Sequence, residues 1–354
     1  MTYKYVKNAW YVAGWVHELE PKKAIKIDIL EEPIVIFLTE KEKLVALEDR
    51  CVHRLAPLSQ GRCEGENIRC MYHGFLFNSE GTVVEIPGQA QIPPKAKIKS
   101  YKIIAKHSWL WIWMGDPDKA DETLIPEAIG IDDPDWLLGH GNLDYQAEAR
   151  LINENLLDFS HLTYVHANSF GADNSFADNP PNIKLLERGI RFERWNVNSS
   201  GGNSSKAANE ASENPSEDEL MFDSWSSYDF IIPGVLLMRS GNYPVGTAEA
   251  CNFETPNFDE AIGNVTFTSQ AVTPTKLNES RYFFSWGPHK KHGDEKLRDL
   301  LMDMAGMAFE EDRVMIEGQQ KVINVTADPA VLPSVHDRGV NMFNRLVAKL
   351  AVES

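Results

Sequence analysis

CVHRLAPLSQGRCEGENIRCMYH, residues 51 to 73, holds three of the chain's four cysteines and two of its ten histidines. The spacing is Cys51-x-His53, then sixteen intervening residues, then Cys70-x-x-His73. Two short Cys/His pairs carried on two loops are what a tetrahedral metal or a small cluster needs, because each pair clamps from one side. Cys63 stands between the pairs and has no place in the pattern. With Cys251 it reads as a small buried apolar residue.

Two metals suit such a set. Structural zinc more commonly takes C-x-x-C or H-x-three-to-five-H spacings, and a zinc protein is colourless. C-x-H followed by C-x-x-H is the pairing that puts two cysteines on one iron and two histidines on the other iron of a [2Fe-2S] cluster. Three cysteines within twenty residues of an otherwise cysteine-poor chain speak for metal rather than disulfides.

Outward from this stretch the chain reads as strands. PIVIFL (33 to 38) and KLVALED (43 to 49) are β-branched apolar runs parted by the polar turn TEKE, and SWLWIWMGDP (108 to 117) closes on a Gly-Asp-Pro turn. A first, all-β domain is expected over 1–118. From 119 a Pro- and Asp-bearing connector leads into LDYQAEARLINENLLDFSHLTYVH, where Leu151, Ile152, Leu156, Leu157 and Leu162 recur at helical spacing. Strand-like runs follow (KLLERGIRFERWNV, DFIIPGVLLMRS, NVTFTSQAVTPT, SRYFFSWGP), then a long amphipathic helix from about Asp294 to Val325. The second domain, 119–354, is therefore α+β, a helix-flanked antiparallel sheet. Residues 198–219, rich in Ser, Asn, Gly and acid and without an aromatic, are expected as a mobile surface loop.

Length and charge narrow the function. A chain of 354 residues exceeds the usual single core, in keeping with two domains. A net charge of −17 without a Lys/Arg-rich cluster argues against binding nucleic acid or anionic membrane. No apolar run approaches the roughly 20 residues that span a bilayer. MTYKYVKNAWYVAGWVHELE lacks the pattern of a secretory signal, and the protein is expected in the cytoplasm.

CVHRLAPLSQG followed by CMYHGFLFNSEG resembles the Rieske signature C-x-H... C-x-x-H-G, and NAWYVAGW and WLWIWMGDP are similar to the same family. Farther along, Asp158, His161 and His166 match the D-x2-H-x4-H pattern of the Rieske non-haem iron oxygenases, so the resemblance covers essentially the whole chain. It implies a [2Fe-2S] cluster on Cys51, His53, Cys70 and His73, and one Fe(2+) on His161, His166 and a downstream carboxylate. Glu310, Glu311 and Asp312 are the candidates for that acid; the resemblance favours Asp312, with Glu311 the fallback. Two imidazoles and one carboxylate on one face of iron leave its other face open to O2 and substrate-derived species. Asp158, within one helical turn of His161, can fix that imidazole's tautomer. The resemblance further gives Asp158 the role of electron-transfer bridge between subunits, reaching the cluster histidine His73, which implies a head-to-tail homotrimer. Asn155, one turn earlier, is a neighbour of the iron and not a ligand.

No G-x-G-x-x-G follows a strand, so NAD(P)H electrons must come through a separate ferredoxin or flavin reductase. The compact chain looks like the vanillate O-demethylase and dicamba mono-oxygenase group. That likeness implies a terminal oxygenase that hydroxylates an O-methyl or N-alkyl carbon of a small aromatic compound and releases aldehyde. An apolar substrate pocket is expected between strands at 225 to 290 and the helix segment bearing Met302, Met304 and Met307, although these methionines also suit a core. Ring hydroxylation and a non-enzymatic electron carrier are the alternatives.

Overall fold

The computed structural model describes residues 5–167, 169, 179–200, 221–327 and 331–353. It divides into two compact units. One comprises Tyr5–Pro126 with Thr273–Leu277, the other Glu127–Val272 with Asn278–Glu353. The division thus falls eight residues beyond the expected 118, because the turns after Trp113 still belong with the first unit: Trp10 Nε1 donates to the Asp121 carbonyl at 2.7 Å.

The first unit is all-β among its described residues apart from short 3-10 turns. In chain order its strands are β1 (Ala9–Trp15), β2 (Ala24–Ile29), β3 (Glu32–Leu38), β4 (Leu44–Glu48), β5 (Arg62–Glu64), β6 (Asn67–Arg69), β7 (Leu76–Phe77), β8 (Val83–Glu85), β9 (Ser100–Tyr101), β10 (Ile103–Lys106) and β11 (Trp109–Met114). They form sheets β1-β11-β10, β2-β3-β4-β9 and β5-β6-β7-β8. The β3–β4 hairpin follows from the two β-branched runs of the sequence, with Phe37 opposite Val45 and Val35 opposite Leu47. All six residues of β11 are buried, so its tryptophans serve both faces of the strand. Trp10 meets Trp113 and Trp15 meets Trp109, each pair with ring centroids 5.4 Å apart. Val35, Phe37, Leu47, Ile68 and Phe77 build one core with Cys51 and Cys70 inside it. Cys63 is only half-buried at its edge, and Cys251 is half-buried too, so neither is the fully buried residue expected.

The second unit is built on a seven-stranded antiparallel sheet. Its strands are β12 (Gly139–Tyr145), β13 (Asn182–Leu186), β14 (Gly189–Ser199), β15 (Phe222–Ile231), β16 (Val235–Tyr243), β17 (Gly263–Lys276) and β18 (Glu279–Pro288), in the order β12-β18-β17-β16-β15-β14-β13. What reads as one run at 184 to 197 is a hairpin, turned at Glu187–Arg188. The expected loop over 198–219 begins inside β14 with Asn198 and Ser199, and from 201 onward lies outside the described residues.

Among the described residues five helices accompany this sheet: α1 (Ala149–Leu157), α2 (Leu162–Val165), α3 (Thr247–Ala250), α4 (Glu295–Val325) and α5 (Arg338–Glu353). Helix α4 starts where the sequence places it, with the Asp294 carboxylate accepting from Leu297 N at 2.9 Å as N-cap. Leu297, Leu301, Met304, Ala305, Ala308, Phe309, Asp312 and Ile316 form its buried stripe. Phe309 packs edge-on against Tyr282 and Phe284 of β18, at 5.1 and 4.8 Å. Helix α5 was not expected. Its buried Phe343 and Val347 are one turn apart, and Phe343 rests on Phe230 of β15. One face of the sheet thus carries α4 and α5. The other carries a separate cluster of Trp195, Trp225, Tyr243 and Ala248.

Candidate functional site

The Cys/His stretch forms two tight loops. In the first, Cys51 N donates to the Ala56 carbonyl and Leu55 N to the Cys51 carbonyl, at 2.8 and 3.0 Å. In the second, Cys70 N donates to the Phe75 carbonyl and Gly74 N to the Cys70 carbonyl, both at 2.9 Å. Gly74 has φ +76°, a left-handed conformation that lets the loop close just after His73. Arg69 fastens it from outside, donating to the Gly74 carbonyl at 2.8 Å while paired with Glu64 and Glu85. Nothing in the sequence singles this arginine out from its neighbours.

The four donors are sorted by exposure. Cys51 and Cys70 are buried in the core, whereas His53 and His73 are exposed, with ring centroids 4.5 Å apart. Burial, reinforced by the Cys70 thiol beside it, pushes Cys51 up to about 11. A thiolate here therefore calls for a metal cation to stabilise it. Among the described residues, no three of these four donors lie close enough to converge on a single ion. Two cysteines inside and two histidines outside instead suit a group with two metal atoms.

The second constellation depends on a helix that breaks. In one continuous α-helix, residues five apart are about 140° apart around the axis, so His161 and His166 would diverge. Instead α1 ends at Leu157, a 3-10 turn spans Phe159–His161, and α2 runs to Val165 with His166 at its C-cap. Asp158 makes the break, its carboxylate accepting from Ser160 N at 2.9 Å. Its backbone carbonyl, not its side chain, accepts from His161 Nδ1, at 2.6 Å. The expectation that the Asp158 carboxylate would orient this imidazole within the chain assumed unbroken helix and is replaced by that contact.

From the other side comes α4. Gln320 accepts from Glu148 N and Glu317 from Gln146 N, both at 2.9 Å, and Tyr145 OH donates to the Phe309 carbonyl at 3.1 Å. These bonds hold the segment leading into α1 against the helix. His161, His166 and Asp312 then meet with ligand atoms all within 4.8 Å of one another. Asp312 Oδ1 lies 3.3 Å from His166 Nε2 and 3.6 Å from His161 Nε2. Asn155 Nδ2 donates to that oxygen at 3.0 Å.

Asp312 is 5% exposed within an otherwise mostly apolar stripe, and its ion-pair partners among the described residues are the two imidazoles. A buried carboxylate in such company is poised to receive a cation. The donor set, two imidazole nitrogens and one carboxylate oxygen, fits non-haem iron(II). Glu311 turns away from this centre, its Oε2 accepting from His166 Nδ1 at 2.9 Å and from Ser169 Oγ at 2.7 Å. Burial presses His166 toward the neutral form, but hydrogen bonds and charge from Asp312 and Glu311 outweigh it and raise its pKa. Of the three methionines, Met304 is core, Met307 is 53% exposed, and Met302 fills the space left by the missing side chain of Gly139.

Comparison with known proteins agrees with both halves. A family model described as the vanillate O-demethylase oxygenase C-terminal domain matches residues 145–353, and one described as the Rieske [2Fe-2S] domain matches residues 9–102. The iron-sulfur subunit of the toluene-4-sulfonate monooxygenase system of Comamonas testosteroni is 36% identical over 98% of this chain and 97% of its own. The vanillate O-demethylase oxygenase subunit of a Pseudomonas species is 28% identical over 97% of this chain and 94% of its own. A crystal structure of dicamba monooxygenase bound to 3,6-dichlorosalicylic acid superposes with a TM-score of 0.85 at 25% identity, covering 99% of each chain.

Proposed function

The chain belongs to the vanillate O-demethylase group of Rieske non-haem iron oxygenases, and from that premise we propose that Cys51, His53, Cys70 and His73 hold its [2Fe-2S] cluster and His161, His166 and Asp312 its mononuclear iron. The protein is an iron-dependent oxygenase component, which receives electrons from a separate reductase or ferredoxin. The observation that carries the iron assignment is the meeting of His161, His166 and Asp312 from two distant segments. Iron bound there, supplied with electrons by the cluster, provides the activation of O2. The residues do the rest. Asp158 O and Glu311 hold the imidazole N–H groups outward, so each histidine turns Nε2 toward the centre, and Asn155 holds Asp312.

The reaction proposed is hydroxylation of an O-methyl or N-alkyl carbon of a substituted aromatic compound. One oxygen atom of O2 enters the C–H bond and the other leaves as water, with two electrons and two protons consumed. The resulting hemiacetal or carbinolamine loses aldehyde. Relatives named as vanillate O-demethylase, dicamba O-demethylase and chloroacetanilide N-alkylformylase components support this. A second reading is favoured by relatives of 36% and 38% identity, named as actual and putative toluene-4-sulfonate monooxygenase subunits: attack on a methyl group attached directly to a ring that bears an anion. A hydroxylated methyl on carbon cannot collapse, so the alcohol would persist.

We propose further that the protein works as a head-to-tail homotrimer, in which Asp158 connects His161 to His73 of the partner subunit. Leu55, Met71 and Tyr72, 66%, 56% and 61% exposed, form an apolar rim beside the exposed cluster histidines and support burial of that tip on another surface. Oxygen uptake and aldehyde release measured together, with a surrogate reductase and a panel of methoxybenzoates, N-alkyl anilides and toluene-4-sulfonate, test the reaction. Aldehyde in step with oxygen establishes dealkylation. Benzylic alcohol without aldehyde selects the second reading, and a hydroxylated ring refutes both.

A further inference from the structure

Glu311 and Asp312 are consecutive on α4, and consecutive helical residues project about 100° apart. Asp312 falls on the buried stripe, and Glu311 falls on its flank, where the outer edge of the His166 ring lies. A carboxylate only accepts hydrogen bonds, so the 2.9 Å contact from His166 Nδ1 to Glu311 Oε2 places the imidazole proton on Nδ1. Nε2 faces Asp312 Oδ1 at 3.3 Å, and in the neutral ring, whose one proton Glu311 keeps on Nδ1, it is the nitrogen that offers its lone pair to a metal. Ser169 Oγ donates to the same Glu311 oxygen at 2.7 Å and holds it in place. The His166 ring is 1% exposed, so its Nδ1 proton is turned to Glu311 and away from solvent, while the Glu311 carboxylate, 29% exposed, reaches the surface.

The two histidines are thus backed differently. His161 gives its outer proton to a neutral backbone carbonyl, His166 to an anion. An anionic acceptor raises the basicity of the imidazole and with it the strength of its bond to a cation. It also settles the charge: two neutral imidazoles, two carboxylates and one divalent cation sum to zero in a largely buried site.

Resting on the reading that His161, His166 and Asp312 hold iron, we propose that Glu311 is the positioning residue of this site: it fixes the tautomer of His166 and tightens retention of the iron without ligating it. Three consequences distinguish this from a merely structural glutamate. Glu311→Ala loses both the orientation and the charge, and iron affinity falls 10- to 100-fold, within the range usual for such partners. Glu311→Gln still offers a carbonyl oxygen to the Nδ1 proton but lacks the charge, so its loss is smaller. Ser169→Ala, which only loosens the carboxylate, loses least.

The test is competition for ferrous iron between a chelator and protein whose [2Fe-2S] cluster is intact, with affinity and release rate measured for wild type, Glu311→Ala, Glu311→Gln, Ser169→Ala and Asp312→Ala. The paramagnetic spectrum of the nitric oxide adduct reports the iron's surroundings without turnover, and visible absorption of the cluster confirms that each variant is folded. The graded order wild type, Ser169→Ala, Glu311→Gln, Glu311→Ala is the expected result. Equal affinity and release in Glu311→Ala and wild type would overturn the proposal. So would a Glu311→Ala variant as empty as Asp312→Ala, because Glu311 would then be a ligand. A wild-type chain that takes up no iron beyond its cluster refutes the iron-site reading itself, whereas uptake unchanged by Glu311→Ala refutes this proposal alone.

Discussion

Replacing Gly74 by alanine separates two ways in which a loop can be tied to its surroundings. Gly74 follows His73 directly and has φ +76°, and a Cβ built on it would come within 2.7 Å of Pro87 Cγ. A left-handed conformation costs a non-glycine residue roughly 1–2 kcal/mol. The contact is with a rigid ring, so its relief by displacement of the loop adds about 1–3 kcal/mol, the usual cost of overpacking. The total, ~2–5 kcal/mol, falls on the residue next to His73, a proposed cluster ligand. Gly88 is the control, because it has φ +75° and nothing within 4 Å of the added carbon, so only the backbone term applies. For a unit of this size, about 4 °C of melting temperature is lost per kcal/mol. Gly74→Ala should lower the melting of the cluster unit by roughly 8–20 °C, against ~4–8 °C for Gly88→Ala. Visible circular dichroism during heating, with iron and sulfide counted per chain, reads both effects. If the two variants melt together with equal cluster content, Pro87 does not set the loop and the reasoning fails.

Asp158→Asn should retain the cluster and the mononuclear iron yet lose most turnover, since the backbone carbonyl that holds His161 survives, an amide oxygen can still accept from Ser160 N, and the carboxylate charge of the proposed bridge between subunits is lost. Turnover at the wild-type rate would eliminate that bridge. Because Asp312 and Glu311 raise the pKa of His166, the metal-free chain gains stability from its protonated form below the ordinary imidazole value and loses that gain as pH rises through the raised one. Iron needs the neutral ring, so loading should follow the opposite course and fail as pH falls through the same range; iron titrations against pH check this, and a flat profile contradicts it. Phe309→Ala, which empties the contact with Tyr282 and Phe284, should cost roughly 3–5 kcal/mol by denaturant unfolding. A loss below about 1 kcal/mol would show that α4 does not depend on this seat.

The parts of the site legible in the sequence are those with local grammar. Cys51-x-His53 and Cys70-x-x-His73 fold into loops closed by bonds a few residues long, so spacing alone foretells their shape. The helix bearing Asp312 is equally plain, since its apolar period and the Asp294 cap need no tertiary information. Three features resist such reading. The break at Asp158 places His166 beside His161, yet the surrounding leucines keep helical spacing across it. The choice between Glu311 and Asp312 turns on which of two adjacent residues faces inward, which the stripe Met304, Ala305, Ala308, Phe309, Ile316 would have indicated. Helix α5 has its own period in Val340, Phe343 and Val347, overshadowed by the longer helix before it. No local pattern reveals that a glutamate 145 positions from His166 supports it.

That separation along the chain has a consequence beyond chemistry. The histidines and the acid lie on segments joined, among the described residues, through six strands of the sheet, β13 to β18, so an ion bound by all three is a clasp closing a very long loop. Closing such a loop removes more freedom from the unfolded chain than closing a short one, and the ion contributes to folding what it gains in binding. Iron supply then governs how long each molecule survives as well as how fast it turns over. If that site holds iron, a chain starved of it should open first around α2, whose tie to α4 runs through His166, Asp312 and Glu311, and limited proteolysis with and without iron reads the difference.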